Sequence, residues 1–268
     1  MTDEQILNGG LANQGQVVRR GDSVERPAPP HAAALHAYLR ALHDAGFTGV
    51  PEPRDLRGER EVLSFVPGDV AVPPYPQWSR GEAELASVGR MLRRMHDVAA
   101  TVPIPDAKWP TEFTDPEAGS GQNLVLCHND ACLENIVFRD GEAVALIDFD
   151  FAAPGRPLWD LAMCAFYWVP MLPEAIAAVE DFDGMDSAAR LRILADAYGL
   201  DDAERRALLK QFPVIVAVMQ QFMRGRVAAG DPVFTEVDAQ RDPLRYTKIL
   251  AWLEDQDAHF LTALGVQG

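Results

Sequence analysis

The sequence predicts an α+β chain of two lobes, a small β-rich N-terminal lobe and a larger, mostly helical C-terminal one. Three observations carry this expectation. Short strand-like runs between turn residues dominate the first 66 residues, a Pro-rich stretch follows at 67–76, and from Leu158 onward the apolar spacing is helical almost throughout. The expected organisation is an N-terminal lobe over 1–66, a hinge or linker over 67–80 and a helical lobe over 81–268.

Taken in order, residues 5–26 hold two strand-like pieces around Val17 and Val24, separated by Gly21-Asp22-Ser23, which reads as a β-hairpin. Pro27, Pro29 and Pro30 end it. Leu35, Tyr38, Leu39 and Leu42 then recur at helical spacing until Gly46, so a helix is expected over about 31–45. The run 61–66 is a further strand, and the prolines at 67, 73, 74 and 76 mark the boundary. Beyond it, Leu85, Val88, Leu92 and Met95 predict a helix over about 82–99, with Arg90, Arg93 and Arg94 on its wet side. Three short apolar runs, 124–127, 136–138 and 144–147, read as small buried strands. Asp201 and Asp202 open a long helix that Pro213 should kink.

Composition excludes several classes. With 48% apolar and 24% charged residues, the chain has the material for a packed core and is not a solvated disordered chain. Its 24 basic against 40 acidic side chains, net −16, repel phosphate backbones, so nucleic acid is not an expected partner. The apolar uncharged runs 161–173 and 211–223 fall short of the roughly 20 residues of a bilayer-spanning helix. The first residues do not read as a secretory signal, and the cytoplasm is the expected location. Cys127, Cys132 and Cys164 lack paired spacing and are expected to be reduced. Nothing in the sequence fixes the oligomeric state.

The informative stretch is 124–150. It places His128, Asp130 and Asn135 on one loop between two apolar strands and Asp148 at the end of a third. Asn135 and Asp148 offer oxygen ligands that converge when the strands pair, which suits a hard cation such as Mg²⁺. Asp130 can face the same cavity without ligating. Taken singly, each has a plainer reading, since an Asp at a strand end is commonly a turn former or a helix cap.

Jointly they resemble something specific. His128-x-Asp130-x-x-x-x-Asn135 has the form of the protein-kinase catalytic loop, and Ile147-Asp148-Phe149 that of the kinase metal-binding element. The longer run through Glu134-Asn135-Ile136-Val137, Leu146-Ile147-Asp148-Phe149-Asp150 and Pro154-Gly155-Arg156-Pro157-Leu158-Trp159-Asp160-Leu161-Ala162 is similar to the aminoglycoside phosphotransferase and choline kinase group of small-molecule kinases. The resemblance is strong over about 123–164 and extends loosely, by lobe order, over the whole chain. It implies a protein-kinase-like fold and Mg²⁺-dependent transfer of the γ-phosphate of ATP or GTP to a hydroxyl of a small molecule. Asp130 would be the catalytic base, and Asn135 and Asp148 the Mg²⁺ ligands. That set suffices chemically, because phosphoryl transfer is accelerated by alignment and charge neutralisation. His128 is expected to brace the loop, Asp160 to be a buried structural acceptor, and Asp150 to be either a turn residue or a further metal or substrate contact.

The N-terminal lobe departs from the pattern. A nucleotide kinase covers its phosphates with a Gly-rich hairpin and holds them with a Lys paired to a helix Glu. Gly9 and Gly10 can supply such a loop or a simple turn, but Lys108, Lys210 and Lys248, the chain's three lysines, all lie beyond the linker. Arg26 stands in the expected place, with Arg19 and Arg20 as rivals, and the 31–45 helix has no Glu, His36 occupying the partner position. Two readings follow, an Arg-based nucleotide site or a pseudokinase that binds nucleotide or a partner without catalysis. The intact Asp130, Asn135 and Asp148 favour activity. The 61–66 strand offers backbone groups to a base edge and Phe65 to its face, without choosing between ATP and GTP. A sugar-nucleotide transferase using Asp148-x-Asp150 would need a βαβ domain before the motif, and the first 65 residues lack that periodicity.

Acidic clusters at 180–186, 201–204 and 231–238 would suit a cationic acceptor such as an aminoglycoside or amino alcohol, or are helix N-termini of an acidic chain. Trp159, Phe166, Tyr167 and Trp168 could wall a cationic head, although their spacing favours core packing for most of them.

Overall fold

The computed structural model describes residues 4–7, 15–120 and 123–266. Three strands open the chain, β1 (Glu4–Ile6), β2 (Val18–Arg20) and β3 (Ser23–Pro27), followed by helix α1 (Ala32–Asp44) and strands β4 (Pro53–Arg57) and β5 (Arg60–Ser64). They form one antiparallel sheet in the order β1-β2-β3-β5-β4. Val24 opposes Leu63 and Arg26 opposes Glu61, so the buried face of this sheet carries two apolar and two charged side chains. Helix α1 buries Leu35, His36, Tyr38, Leu39 and Leu42. Strand β4 was not expected. Only Pro53 of its five residues is buried, so this polar edge strand carries no alternation to read.

The linker is fastened to the second lobe. Asp69 exchanges both backbone hydrogen bonds with Phe138, at 2.9 and 2.8 Å. Gly68 allows this approach, because at its φ of +148° a Cβ would lie 2.4 Å from the Phe138 carbonyl oxygen.

Beyond the linker, α2 (Glu82–Ala99) buries Leu85, Val88, Met91, Leu92 and Met95 and leaves Arg90, Arg93 and Arg94 exposed. Strand β6 (Val125–Cys127) pairs with β9 (Ala153–Gly155), and β7 (Ile136–Arg139) with β8 (Glu142–Leu146). The two short hairpin-like pairs carry the 128–135 loop and the 147–152 turn between them. The remainder is helical, with α3 (Pro157–Trp168), α4 (Glu174–Val179), α5 (Ser187–Tyr198), α6 (Asp202–Ala228), α7 (Pro232–Gln240) and α8 (Arg245–Ala263). Helix α6 runs past Pro213 without interruption. The core centres on Trp159, Trp168 and Phe212 with the inner faces of α2 and α5. The acidic clusters resolve into local chemistry: Asp186, Asp201 and Asp231 cap α5, α6 and α7, and Asp201 with Glu204 forms a capping box. Among the described residues no helix is long and apolar enough to cross a membrane, and Cys127, Cys132 and Cys164 are free thiols.

Candidate active site

Strands β6 and β7 set the ends of the 128–135 loop, and a single buried carboxylate fixes its entry. Asn129 adopts a left-handed φ of 64°, which turns two successive backbone N–H groups toward Asp160 on the first turn of α3. His128 N donates to Asp160 Oδ2 at 2.9 Å and Asn129 N to Oδ1 at 2.8 Å. His96 Nε2 meets Oδ2 at 3.1 Å, and its Nδ1 meets the Tyr198 hydroxyl at 2.6 Å. Burial pushes the Asp160 carboxyl up, but the His96 hydrogen bond and charge, with His128, hold it below its ordinary value.

His128 spans loop and turn. Its Nδ1 accepts from Asp130 N at 3.2 Å, which makes Nε2 the donor to the Ile147 carbonyl at 2.9 Å. Burial lowers its pKa, so the ring is a neutral brace, as expected. Asn135 donates its amide to the Asp130 carbonyl at 2.9 Å and to Asp130 Oδ2 at 3.1 Å, which leaves the amide oxygen as its ligating atom. The Asp130 carboxylate also receives the Tyr167 hydroxyl. Burial, then the charges of Asp148 and Glu134, push the Asp130 carboxyl well above the usual range against those two hydrogen bonds. Glu134 in turn accepts from the Tyr75 hydroxyl at 2.9 Å.

Across the cleft stands Arg26, 6% exposed. Its Nε donates to Glu61 Oε1 at 2.7 Å, its Nη1 to Asp148 Oδ1 at 2.6 Å and its Nη2 to Asp150 Oδ1 at 2.6 Å. One guanidinium therefore joins the N-terminal sheet to both carboxylates of the 147–152 turn. Asp148 is held at a left-handed φ of 65°. Burial pushes the Asp150 carboxyl up to about 6 despite Arg26, with Asp148 and Glu61 adding to the rise.

The residues fit a divalent cation. Two carboxylates already attract one buried cation, and the Asn135 amide oxygen is left as a further hard-oxygen donor, the chemistry that suits a hydrated ion bound together with phosphate oxygens. No three His, Cys, Asp or Glu side chains form a metal cage among the described residues.

Of the expected site residues, the structure pairs Arg26 with Asp148 and Asn135 with Asp130, and the Ile147 N–H on the Asn135 carbonyl at 2.9 Å joins the two pairs. Arg19 and Arg20 are engaged elsewhere, Arg19 over the Phe65 ring at 3.6 Å and Arg20 with Glu4 and Glu25. Phe65 has its described contacts with Arg19 and, through its N–H, with the Asp22 carbonyl at 2.8 Å rather than with the Arg26 set. Gly9 and Gly10 lie outside the described residues. One residue, Glu61, was missed, and Tyr167, expected only as part of an aromatic wall or as core, proves to be a partner of Asp130. Tyr167 sits on a helix whose other aromatics, Trp159, Phe166 and Trp168, are core, so no periodicity distinguishes it. Glu61 had a signal: in Arg60-Glu61-Val62-Leu63-Ser64 it shares the inward positions with Leu63.

Comparison with known proteins adds the following. A family model described as the phosphotransferase enzyme family matches residues 104–208. The chain is 31% identical over 258 residues to the trifolitoxin immunity protein of Rhizobium leguminosarum bv. trifolii, covering 94% of this chain and 95% of that one. It is 32% identical over 228 residues to a homoserine kinase of Gluconacetobacter diazotrophicus, covering 82% of this chain but 60% of the relative's length. Among solved structures, a choline/ethanolamine kinase family protein from Mesorhizobium loti has the same fold, with a TM-score of 0.66 at 20% identity over 97% of this chain and 92% of that chain.

Proposed function

The chain belongs to the phosphotransferase enzyme family and is a small-molecule kinase, and from that premise we propose that it moves the γ-phosphate of ATP, or of GTP, to a hydroxyl of a small acceptor with Mg²⁺ as the metal. The observation that carries this reading is the Arg26 bridge, which draws Asp148 and Asp150 against the N-terminal sheet within reach of the Asp130 loop.

Asp130 accepts the hydrogen bond of the acceptor hydroxyl, orients it toward the phosphorus and takes its proton as the new P–O bond forms and the bond to the leaving diphosphate breaks. Tyr167 and Asn135 hold the carboxylate for that task. Asn135 and Asp148, with Asp150 beside them, would hold Mg²⁺, which neutralises charge on the transferring phosphate when bound. Arg26 ligates phosphate oxygens through its planar fork, the part that a lysine serves in other kinases.

The acceptor in this reading is an amino alcohol. Asp130 and Glu134 lie close enough for their charges to interact, and their described hydrogen-bond partners, Asn135, Tyr167 and Tyr75, are all neutral. An ammonium near the reacting hydroxyl would relieve that repulsion. The relative named a homoserine kinase agrees, since homoserine carries both groups.

The test is ADP or GDP release with homoserine, ethanolamine, choline and an aminoglycoside, each with and without Mg²⁺. Mg²⁺-dependent release with one acceptor, abolished in Asp130→Asn while nucleotide affinity stays near that of the parent, is the expected result. Nucleotide binding with no acceptor-stimulated release overturns the reading.

A further inference from the structure

The N-terminal lobe contains no lysine, and α1 has no glutamate, so the ion pair that a nucleotide kinase forms between strand and helix cannot form here in that way. A different arrangement takes its place. Arg26 on β3 and Glu61 on β5 are directly opposed in the antiparallel register, so their side chains leave the sheet on one face. Glu61 is 0% exposed and both of its oxygens are engaged, Oε1 by Arg26 Nε and Oε2 by His36 Nε2 from α1, each at 2.7 Å. Burial pushes the Glu61 carboxyl up, yet the His36 hydrogen bond and the Arg26 charge bring it below its ordinary value, so the buried carboxylate is ionised.

We propose that Glu61 is the positioning residue of the nucleotide site: placed on the neighbouring strand instead of the helix, it fixes Arg26 through Nε and leaves both terminal nitrogens to exchange Asp148 and Asp150 for triphosphate oxygens. The inference rests on the kinase reading above and says which residue makes the lysine-free lobe competent.

Three features favour this over a purely structural pair. Register between β3 and β5 is already set by the backbone ladder from Ser23 and Ser64 to Pro27 and Arg60. A buried ion pair is a poor way to gain stability, because desolvation offsets most of its attraction. Finally, the division among the guanidinium nitrogens is functional in form. Nε faces the sheet, while Nη1 and Nη2 face carboxylates more than 120 residues away, at 122 and 124 residues' separation. A lysine could not hold an anchor and a bidentate phosphate contact at once, since its ammonium is a single point. Helix α1 keeps a part in the arrangement by supplying His36, which fixes the rotation of the Glu61 carboxylate.

Calorimetric titration of the whole chain with Mg·ATP and separately with adenosine tests this. Glu61→Gln is expected to weaken Mg·ATP about ten-fold or more while adenosine changes by less than about two-fold. The double variant Arg26→Ala/Glu61→Gln should bind Mg·ATP as Arg26→Ala alone does, because Glu61 acts through Arg26. Glu61→Asp, which keeps the charge but loses one methylene of reach, carries the same test should Glu61→Gln fail to fold. Unchanged Mg·ATP affinity in Glu61→Gln, equal loss for Mg·ATP and adenosine, or additive losses in the double variant would overturn the role of Glu61 alone. A parent chain that binds no Mg·ATP would instead overturn the kinase reading, and the role of Glu61 with it.

Discussion

Replacing Asp160 by Ala removes the acceptor on which the 128–135 loop is hung. Its carboxylate takes hydrogen bonds from His128 N, Asn129 N and His96 Nε2, at 2.9, 2.8 and 3.1 Å. His128 and Asn129 are 0% and 1% exposed, so their amides cannot turn to water once the carboxylate is gone. Each buried donor left without a partner costs about 1–3 kcal/mol, or roughly 2–6 kcal/mol for the two amides before His96 is considered. Against a typical stability of about 5–15 kcal/mol this is a large fraction. At about 2–4 °C per kcal/mol for a chain of this size, a loss near 4 kcal/mol lowers Tm by roughly 8–16 °C. Asp160→Asn keeps one acceptor oxygen but turns an NH₂ toward a donor, and should fall between parent and Asp160→Ala. Urea denaturation with the far-UV signal, supported by thermal melts, measures all three. An Asp160→Ala chain within about 1 kcal/mol of the parent would refute the argument, since no two buried amides could then depend on that carboxylate.

Three further outcomes are expected. Arg26 spans Asp148 and Asp150 in this structure, so a free divalent ion competes with a guanidinium; Arg26→Ala should bind Mn²⁺ alone about ten-fold tighter than the parent by spin-resonance titration, and equal affinity counts against the competition. Gly68→Ala meets the Phe138 carbonyl at a backbone angle an L-residue resists and should cost about 1–3 kcal/mol in denaturation, whereas an unchanged midpoint would show that the linker is not held there. Burial pushes the Asp115 carboxyl up, but Arg156 and the N–H groups of Glu117 and Arg156 hold it below its ordinary value. Its contribution is therefore complete above the unfolded value near pH 4 and is lost as pH falls through the folded one. Arg156→Met should lower stability at pH 7 and flatten the decline between about pH 5 and 3, and a parallel decline in the two chains would exclude this pair as its cause.

The parts of the molecule legible in the sequence are those whose physics is local. Helices α1 and α2 fall within a residue or so of the expected spans because their apolar spacing is unbroken and Gly46 stops α1 sharply. The 128–135 loop was readable because its polar residues lie between the buried runs Val125–Cys127 and Ile136–Phe138 and so have no other reason to be there. Strand pairing is not local, and that is where reading failed. Nothing in the sequence says that residue 61 faces residue 26, and His36, in the helix position expected of a partner, holds the far oxygen of the carboxylate that reaches Arg26. The competing arginines could likewise be separated only in three dimensions, when Arg19 was found over Phe65 and Arg20 between Glu4 and Glu25. Within the acidic clusters, Asp186, Asp201 and Asp231 are helix caps, and Asp181 and Glu180 pair with Arg80 and Arg245.

Among the described residues, backbone hydrogen bonds tie the N-terminal lobe and its linker to the β7–β8 pair at two separate places. One is the Asp69–Phe138 bridge, and the other is the Leu146 N–H on the Gly49 carbonyl at 2.9 Å, just after α1. A body pinned at one point can swivel in every direction, but two pins define an axis and leave a single rotation about it. Those two pins favour a door-like opening of the cleft between Arg26 and Asp130 about the line that joins them. Rotation about that axis keeps Arg26 opposite the 147–152 turn, so alignment for phosphoryl transfer is a property of the frame and does not have to be found anew with each turnover.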